Sequence, residues 1–329
     1  MSNWKLLLVV CILQCSLGAS DFKEHVQKDV EGLKYLQTPE DNRRLGLFSA
    51  LFDMAQKREK PSGEIPKIMH FIWLGSQKFP KSSIENVKGW IDQHPGWRVK
   101  FWTDIGHAAP DDRMEIRSLD LFPLDELKEN YLRSHNFGER SQILRYAILL
   151  REGGIYVDHD LVCLKSIEEL QVAHDFFCGM EVLGPTTLTS SVNPSPHLLA
   201  STPQHPILKS AKKWLIDEWD RLETEHPGED SSSIYNRVQQ RAFNSLSVGV
   251  KQSYARAGRK DVVFPPDYFS LPNKKNALYA IHQHRGSWYE KWEDSQGSNW
   301  SYWLAIGGLI AVIGAGRLIL KRQEKNNET

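Results

Sequence analysis

The stretch that most restricts the fold runs from Gly138 to Asp160, GERSQILRYAILLREGGIYVDHD. Ile143, Leu144, Ala147, Ile148 and Leu150 recur at helical spacing, and Gly153-Gly154 end the helix. The residues that follow, Ile155 to Leu164, read as a strand. A helix that turns on two glycines straight into a strand belongs in an α/β layer structure. Residues two apart on a strand share a face, so Tyr156, Asp158 and Asp160 point one way and Ile155 and Val157 the other. Two carboxylates about 6–7 Å apart repel by roughly 2–3 kcal/mol at an effective dielectric of 20. A divalent cation reverses the sign of that energy, and hard oxygen ligands suit Mn²⁺ or Mg²⁺. From the residues alone, a metal-bound phosphate platform and a solvated strand end both remain open.

The rest of the chain extends the α/β pattern. KIMHFIWLG, closed by Gly75, and WRVKFWTD, closed by Asp104, read as strands around a helix from Ser82 to Gln93 that stops at Pro95-Gly96. That order predicts a βαβ unit and a mostly parallel sheet. Ahead of it, residues 21–64 form a helical segment. Phe22, Val26, Val30 and Leu33 make one apolar stripe, and Leu45, Phe48, Leu51, Phe52 and Ala55 another. After it come a strand over DFFCGMEVL, a loop from Gly184 to Pro206, and helices over Ile207–Glu225 and Ile234–Ser247. The segment YAIHQHRGSW closes a main domain over residues 65–295.

The ends point to a membrane. Residues 1–20 combine Lys5, an apolar run from Leu6 to Leu13 and small residues near Gly18, as a secretory signal peptide or signal anchor does. Trp300 to Leu320 carries a single charge, Arg317, and at about 1.5 Å per residue reaches across a bilayer core. The basic residues after it place the tail 321–329 in the cytosol and the main domain on the other side. Formal net charge is zero, which argues against a phosphate footprint and so against nucleic acid as a partner. Downstream of the leader only Cys163 and Cys178 remain, as a pair or as two free thiols.

Taken together, IPKIMHFIWLG, SQILRYAILLREGGIYVDHD and HQHRGSW resemble the glycosyltransferase family with a DXD sugar-binding region, family 32. That family includes yeast-type mannosyltransferases acting on glycoproteins and inositol phosphorylceramide, and its core is similar to that of the clostridial glucosylating toxins. STPQHPIL and PPDYFSLP sit where it has comparable segments, so the likeness runs from about Ile65 to Trp288. It implies a GT-A fold, retaining transfer from a UDP- or GDP-linked sugar, Mn²⁺ (or Mg²⁺), and a glycolipid or glycoprotein acceptor. Asp160 would ligate the metal, Asp158 would hold the donor ribose and reach the metal, and Arg145 would contact donor sugar or phosphate. Trp73 would stack on the base, Tyr156 and Gln142 would line the donor site, and Ser287 and Trp288 would close over the diphosphate. His282 would be a further metal ligand.

One departure stands out. Many members carry an aspartate where this chain has Gln142, and an amide presents a different hydrogen-bonding pattern to sugar hydroxyls. Nucleotide sugars are supplied to the Golgi lumen, so with the two apolar ends the resemblance implies a Golgi or endoplasmic reticulum membrane enzyme. A sugar- or nucleotide-binding protein with little or no activity on the same fold is the alternative, and a toxin-like transferase acting on proteins is a third.

Overall fold

Strand β1 (Ile68–Trp73) lies between β2 (Arg98–Thr103) and β4 (Gly154–Val157) and is parallel to both. With β3 (Met114–Ser118), β6 (Phe176–Met180), β7 (Pro194–Ser201) and β8 (Asp261–Phe264) these form a seven-stranded sheet of order β3-β2-β1-β4-β7-β6-β8. Only β7 runs against the rest, pairing antiparallel with β4 and β6. A second, two-stranded sheet joins β5 (Leu161–Cys163) to β9 (Ala280–His282). The chain is thus mixed α/β with a mostly parallel central sheet. This computed structural model describes residues 21–27, 31–57, 61–120, 122–186, 188–254 and 260–286. The expected leader (1–20), apolar span (300–320) and tail (321–329), with Ser287 and Trp288, lie outside the described residues. No helix among the described residues is long and apolar enough to cross a membrane.

The helix Phe137–Glu152 is capped as its sequence dictates. The Asn136 side chain accepts the backbone N–H groups of Gly138 and Glu139 at 2.8 and 3.2 Å. At the other end Gly153 takes φ 65° and Gly154 φ 90°. A Cβ on Gly154 would sit 2.5 Å from the carbonyl oxygen of Ile68, so the turn delivers β4 directly alongside β1. The helix thereby buries Ile143, Leu144, Ile148 and Leu149.

Several expectations change. The run from Ile155 to Leu164 is not one strand: β4 ends at Val157, and Asp158 to Asp160 leave it before β5 begins. Alternation on a strand therefore does not bring Asp160 beside Asp158; a turn does, closed by the Leu161 N–H on the Asp158 carbonyl at 3.2 Å. The expected loop from Gly184 to Pro206 contains β7, a wholly buried strand. Pro194 meets Met180 after a register shift in β6, and β4 stops opposite Leu198, so neither Pro194 nor Pro196 is asked for an N–H by β4. The helix expected over Ile207–Glu225 breaks at Glu218 into Pro206–Asp217 and Trp219–Glu225. Ile234–Ser247 resolves into Ser231–Gln239, a π-helical turn Gln240–Asn244 and Ser245–Tyr254. At the N-terminus, helices Asp21–Gln27 and Pro39–Lys57 bury Phe22, Val26, Phe48, Leu51, Phe52 and Ala55 of the two stripes, while Leu33 and Leu45 are half-buried and Val30 lies outside the described residues. Cys163 and Cys178 are both free thiols.

His70 ties β1 to β2 and to the glycine turn. Its Nε2–H donates to the Gly153 carbonyl at 2.9 Å and its Nδ1 accepts the Trp102 indole N–H at 3.1 Å. A second proton would face the Trp102 donor, and full burial pushes the pKa down from 6.5 to about 4. The folded state therefore resists protonation that the unfolded chain accepts, and stability falls as pH drops from 6.5 toward 4. For His70 that loss reaches about 3 kcal/mol, and half-buried His174, also near 4, acts in the same direction. Thermal melts are expected to show falling stability from neutral pH to pH ~5, with a shallower slope in His70→Gln. An unchanged slope in that variant would remove His70 from the account.

Candidate active site

The C-terminal ends of β1, β4 and β6 and the first residues of reversed β7 meet at one edge of the sheet, where open α/β sheets form their ligand crevices. Asp158 follows the last residue of β4, and its N–H donates to the His197 carbonyl at 2.9 Å. Asp160 is held from the far side of the chain. Its carbonyl accepts the Gln283 N–H at 3.1 Å, and its Oδ2 accepts the Arg285 N–H at 2.8 Å. The residues just after β9 thus fix the turn, and β9 itself carries His282 to the same point. His282 Nε2 lies 3.4 Å from Asp160 Oδ1. One ligand atom each from Asp158, Asp160 and His282 lies within 4.8 Å of the others.

The charges in this group support one another. Burial opposes ionisation of Asp160, but His282 beside it, with His159 and the Arg285 N–H, holds the carboxyl well below its usual range. Burial likewise works against a charged His282, and the Asp160 carboxylate outweighs it and raises that imidazole. At the separation seen here the two carboxylates repel by at least about 3 kcal/mol at an effective dielectric of 20. Two oxygen donors and one imidazole nitrogen suit Mn²⁺ or Mg²⁺, Mn²⁺ better for the imidazole. His282 Nδ1 is buried with no hydrogen-bond partner among the described residues. The donor set fits a divalent cation.

Behind Asp158 stands Arg145, one turn after Ser141 on the capped helix. Its guanidinium lies over the Tyr156 ring at 4.3 Å and donates through Nη1 to the Pro196 carbonyl at 2.6 Å. Its Nη2 lies 3.6 Å from Asp158 Oδ1, and Tyr156 donates its hydroxyl to the same oxygen. Gln142, on the same helix face, is 2% exposed, and its Nε2 has no partner among the described residues. Trp73 ends β1 with 9% exposure and its N–H on the Gln77 carbonyl at 2.7 Å. Its ring meets Phe79 and His159 edge-on at 5.3 and 5.1 Å. Trp73 is therefore packed one ring away from the doublet, with little open face. His159 is a packed residue, bonded to Ser83 Oγ at 2.8 Å. His284 and Arg285 are half-buried against the site.

Sequence reading missed Glu181, Ser195 and His197, which lie at the end of β6 and in β7. Ser195 Oγ bonds both the Glu181 carboxylate and His197. His197 Nδ1 is 3.3 Å from Glu181 Oε1. Burial opposes the Glu181 charge, yet the His197 contact and the neighbouring histidines lower its pKa to about 2. Burial and the His282 charge push His197 down. The signal that could have found them was the apolar run HLLA, hidden between prolines.

Residues 80–177 match the model of a family described as glycosyltransferase sugar-binding region containing DXD motif. The chain carries that DXD region. It includes Gln142, Arg145, Tyr156, Asp158 and Asp160, whereas Trp73 and His282 lie outside the matched stretch. Subversion of eukaryotic traffic protein A of Legionella pneumophila is 31% identical over 115 residues, covering 30% of this chain and 18% of that protein. Inositol phosphoceramide mannosyltransferase 3 of Schizosaccharomyces pombe is 31% identical over 112 residues, covering 33% and 28%. The chain thus spans less than a third of the length of these two curated relatives. The catalytic domain of alpha-toxin from Clostridium novyi is similar at 12% identity and a TM-score of 0.40, covering 69% of this chain and 74% of that one.

Within the DXD region, Arg145 uses a planar fork that a lysine lacks. Arg145→Lys is expected to lower unfolding free energy by about 1–3 kcal/mol in urea, although the charge is kept. A stability equal to that of the native chain would show that its contacts to Pro196 and Tyr156 carry no weight.

Proposed function

We propose that the chain is a divalent-metal-dependent, retaining glycosyltransferase of GT-A type. It would move a sugar from a UDP- or GDP-linked donor to a glycolipid or glycoprotein acceptor. The observation that carries this reading is the convergence of Asp158 and Asp160, backed by Arg145 within a DXD region, with His282 from β9 at the C-terminal end of a parallel strand. A relative named as an inositol phosphoceramide mannosyltransferase favours a sphingolipid headgroup as the acceptor class. A lumenal site in the Golgi or endoplasmic reticulum belongs to the same proposal and rests on the apolar segments at 1–20 and 300–320.

In the reaction the bond between the anomeric carbon and the diphosphate oxygen breaks, and the acceptor oxygen bonds the same carbon from the same face. The acceptor proton leaves with the diphosphate. A bound Mn²⁺ or Mg²⁺ would supply the positive charge that neutralises the doublet and the leaving group. Arg145 adds a fixed cation behind Asp158, already oriented by Pro196, so little reorganisation is needed as charge develops. Tyr156 holds Asp158 by its hydroxyl and supports Arg145 by its ring. Gln142, Ser287 and Trp288 keep their proposed donor-binding roles, whereas Trp73, packed edge-on against Phe79 and His159, offers little face for a base to stack on.

Gln142 motivates a second reading, a donor-binding protein without turnover. Its buried amide stands where the family resemblance implies an acid, and its Nε2 is unpaired among the described residues. Hydrolysis or transfer of a panel of radiolabelled nucleotide sugars by the purified chain separates the two. Turnover is expected with Mn²⁺, to stop with chelator, and to fall at least about 100-fold in Asp160→Ala. Donor binding without turnover of any common nucleotide sugar would favour the binder.

A further inference from the structure

A histidine that ligates a metal ordinarily donates its other ring nitrogen to a carboxylate or carbonyl, which fixes the ring. His282 lacks that support: Nε2 faces Asp160, and Nδ1 is buried without a partner among the described residues. What holds the ring is packing against two other imidazoles. His282 lies between His197 and His284, with ring centroids 4.1 and 3.9 Å away and planes tilted by 43° and 44°.

The two neighbours differ in how firmly they are placed. His284 sits at φ 48° in the segment after β9. His197 belongs to a central strand, is 2% exposed, and is bonded at both ring nitrogens. Its Nδ1 meets Ser195 Oγ and lies 3.3 Å from Glu181 Oε1, and its Nε2 lies 3.3 Å from Ser270 Oγ. The carbonyl of the same residue accepts the Asp158 N–H at 2.9 Å. One residue therefore touches two of the three members of the Asp158–Asp160–His282 group, one through its backbone and one through its ring.

We propose that His197 is a positioning residue for this site: its ring, pinned by Glu181, Ser195 and Ser270, is the fixed wall that aims His282 at the acidic doublet. The proposal rests on reading Asp158, Asp160 and His282 as a divalent-cation set. It assigns to His197 no contact with substrate. Removing the ring leaves the backbone bond to Asp158 in place and frees the His282 ring to swing, so metal affinity is the quantity that changes.

The test is titration of the full-length chain with Mn²⁺ alone, without nucleotide, reading free Mn²⁺ by electron paramagnetic resonance. Asp160→Ala is expected to abolish tight binding. His197→Ala is expected to weaken it by about tenfold or more, the range for groups that orient metal ligands, with the far-ultraviolet circular dichroism unchanged. His197→Phe keeps the ring volume but cannot bond Glu181 or Ser270, and is expected to fall between the two. If His197→Ala does not fold, the phenylalanine variant carries the comparison. Both His197 variants binding Mn²⁺ within about twofold of the native chain while Asp160→Ala loses it would overturn the positioning role and leave the cation site standing. Equal binding by the native chain and Asp160→Ala would overturn the cation site and this inference with it.

Discussion

Two carboxylates, one of them buried, are held so close that they repel by a few kcal/mol. Bonds from four residues in three segments keep them there. Asp158 is held by the His197 carbonyl and the Tyr156 hydroxyl, and Asp160 by the Gln283 and Arg285 N–H groups. His282 and Arg145 offset part of the repulsion, one beside each acid. A cluster of like charges gathered from distant segments is costly to stability unless something further neutralises it. That unbalanced charge is the reason to read the site as made for a cation and for the phosphates a cation brings.

The sheet explains how the segments arrive. Parallel β1 and β4 end together because Gly154 lets β4 run against Ile68 with no side chain between them. The reversal of β7 then starts a strand at the edge where its neighbours finish. Pro196 and His197 come to the ends of β4 and β6, supplying a carbonyl to Arg145 and a ring to His282. Had β7 run parallel, its C-terminal residues would occupy that edge instead. The small β5–β9 sheet completes the arrangement by pairing Leu161, the residue after Asp160, with His282.

Much of this was legible in the residues. Helical spacing and the glycine pair marked the Phe137–Glu152 helix and β4, and the apolar stripes marked both N-terminal helices. The break after Val157 was not legible, because alternation over three residues looks the same in a strand and in a turn. β7 was hidden by Pro194 and Pro196, which argue against a central strand until pairing on both sides shows where each falls. His282 entered only through the family resemblance. His197 carried only the short run HLLA as a local signal, and its place depends on a reversed strand that the flanking prolines concealed.

The most direct measurement is anomalous diffraction near the manganese edge from crystals of the chain grown with Mn²⁺ and a nucleoside diphosphate. A peak among Asp158, Asp160 and His282, with the diphosphate against it, is the expected result. A peak elsewhere, or none at the doublet while the nucleotide is bound, would contradict the central claim.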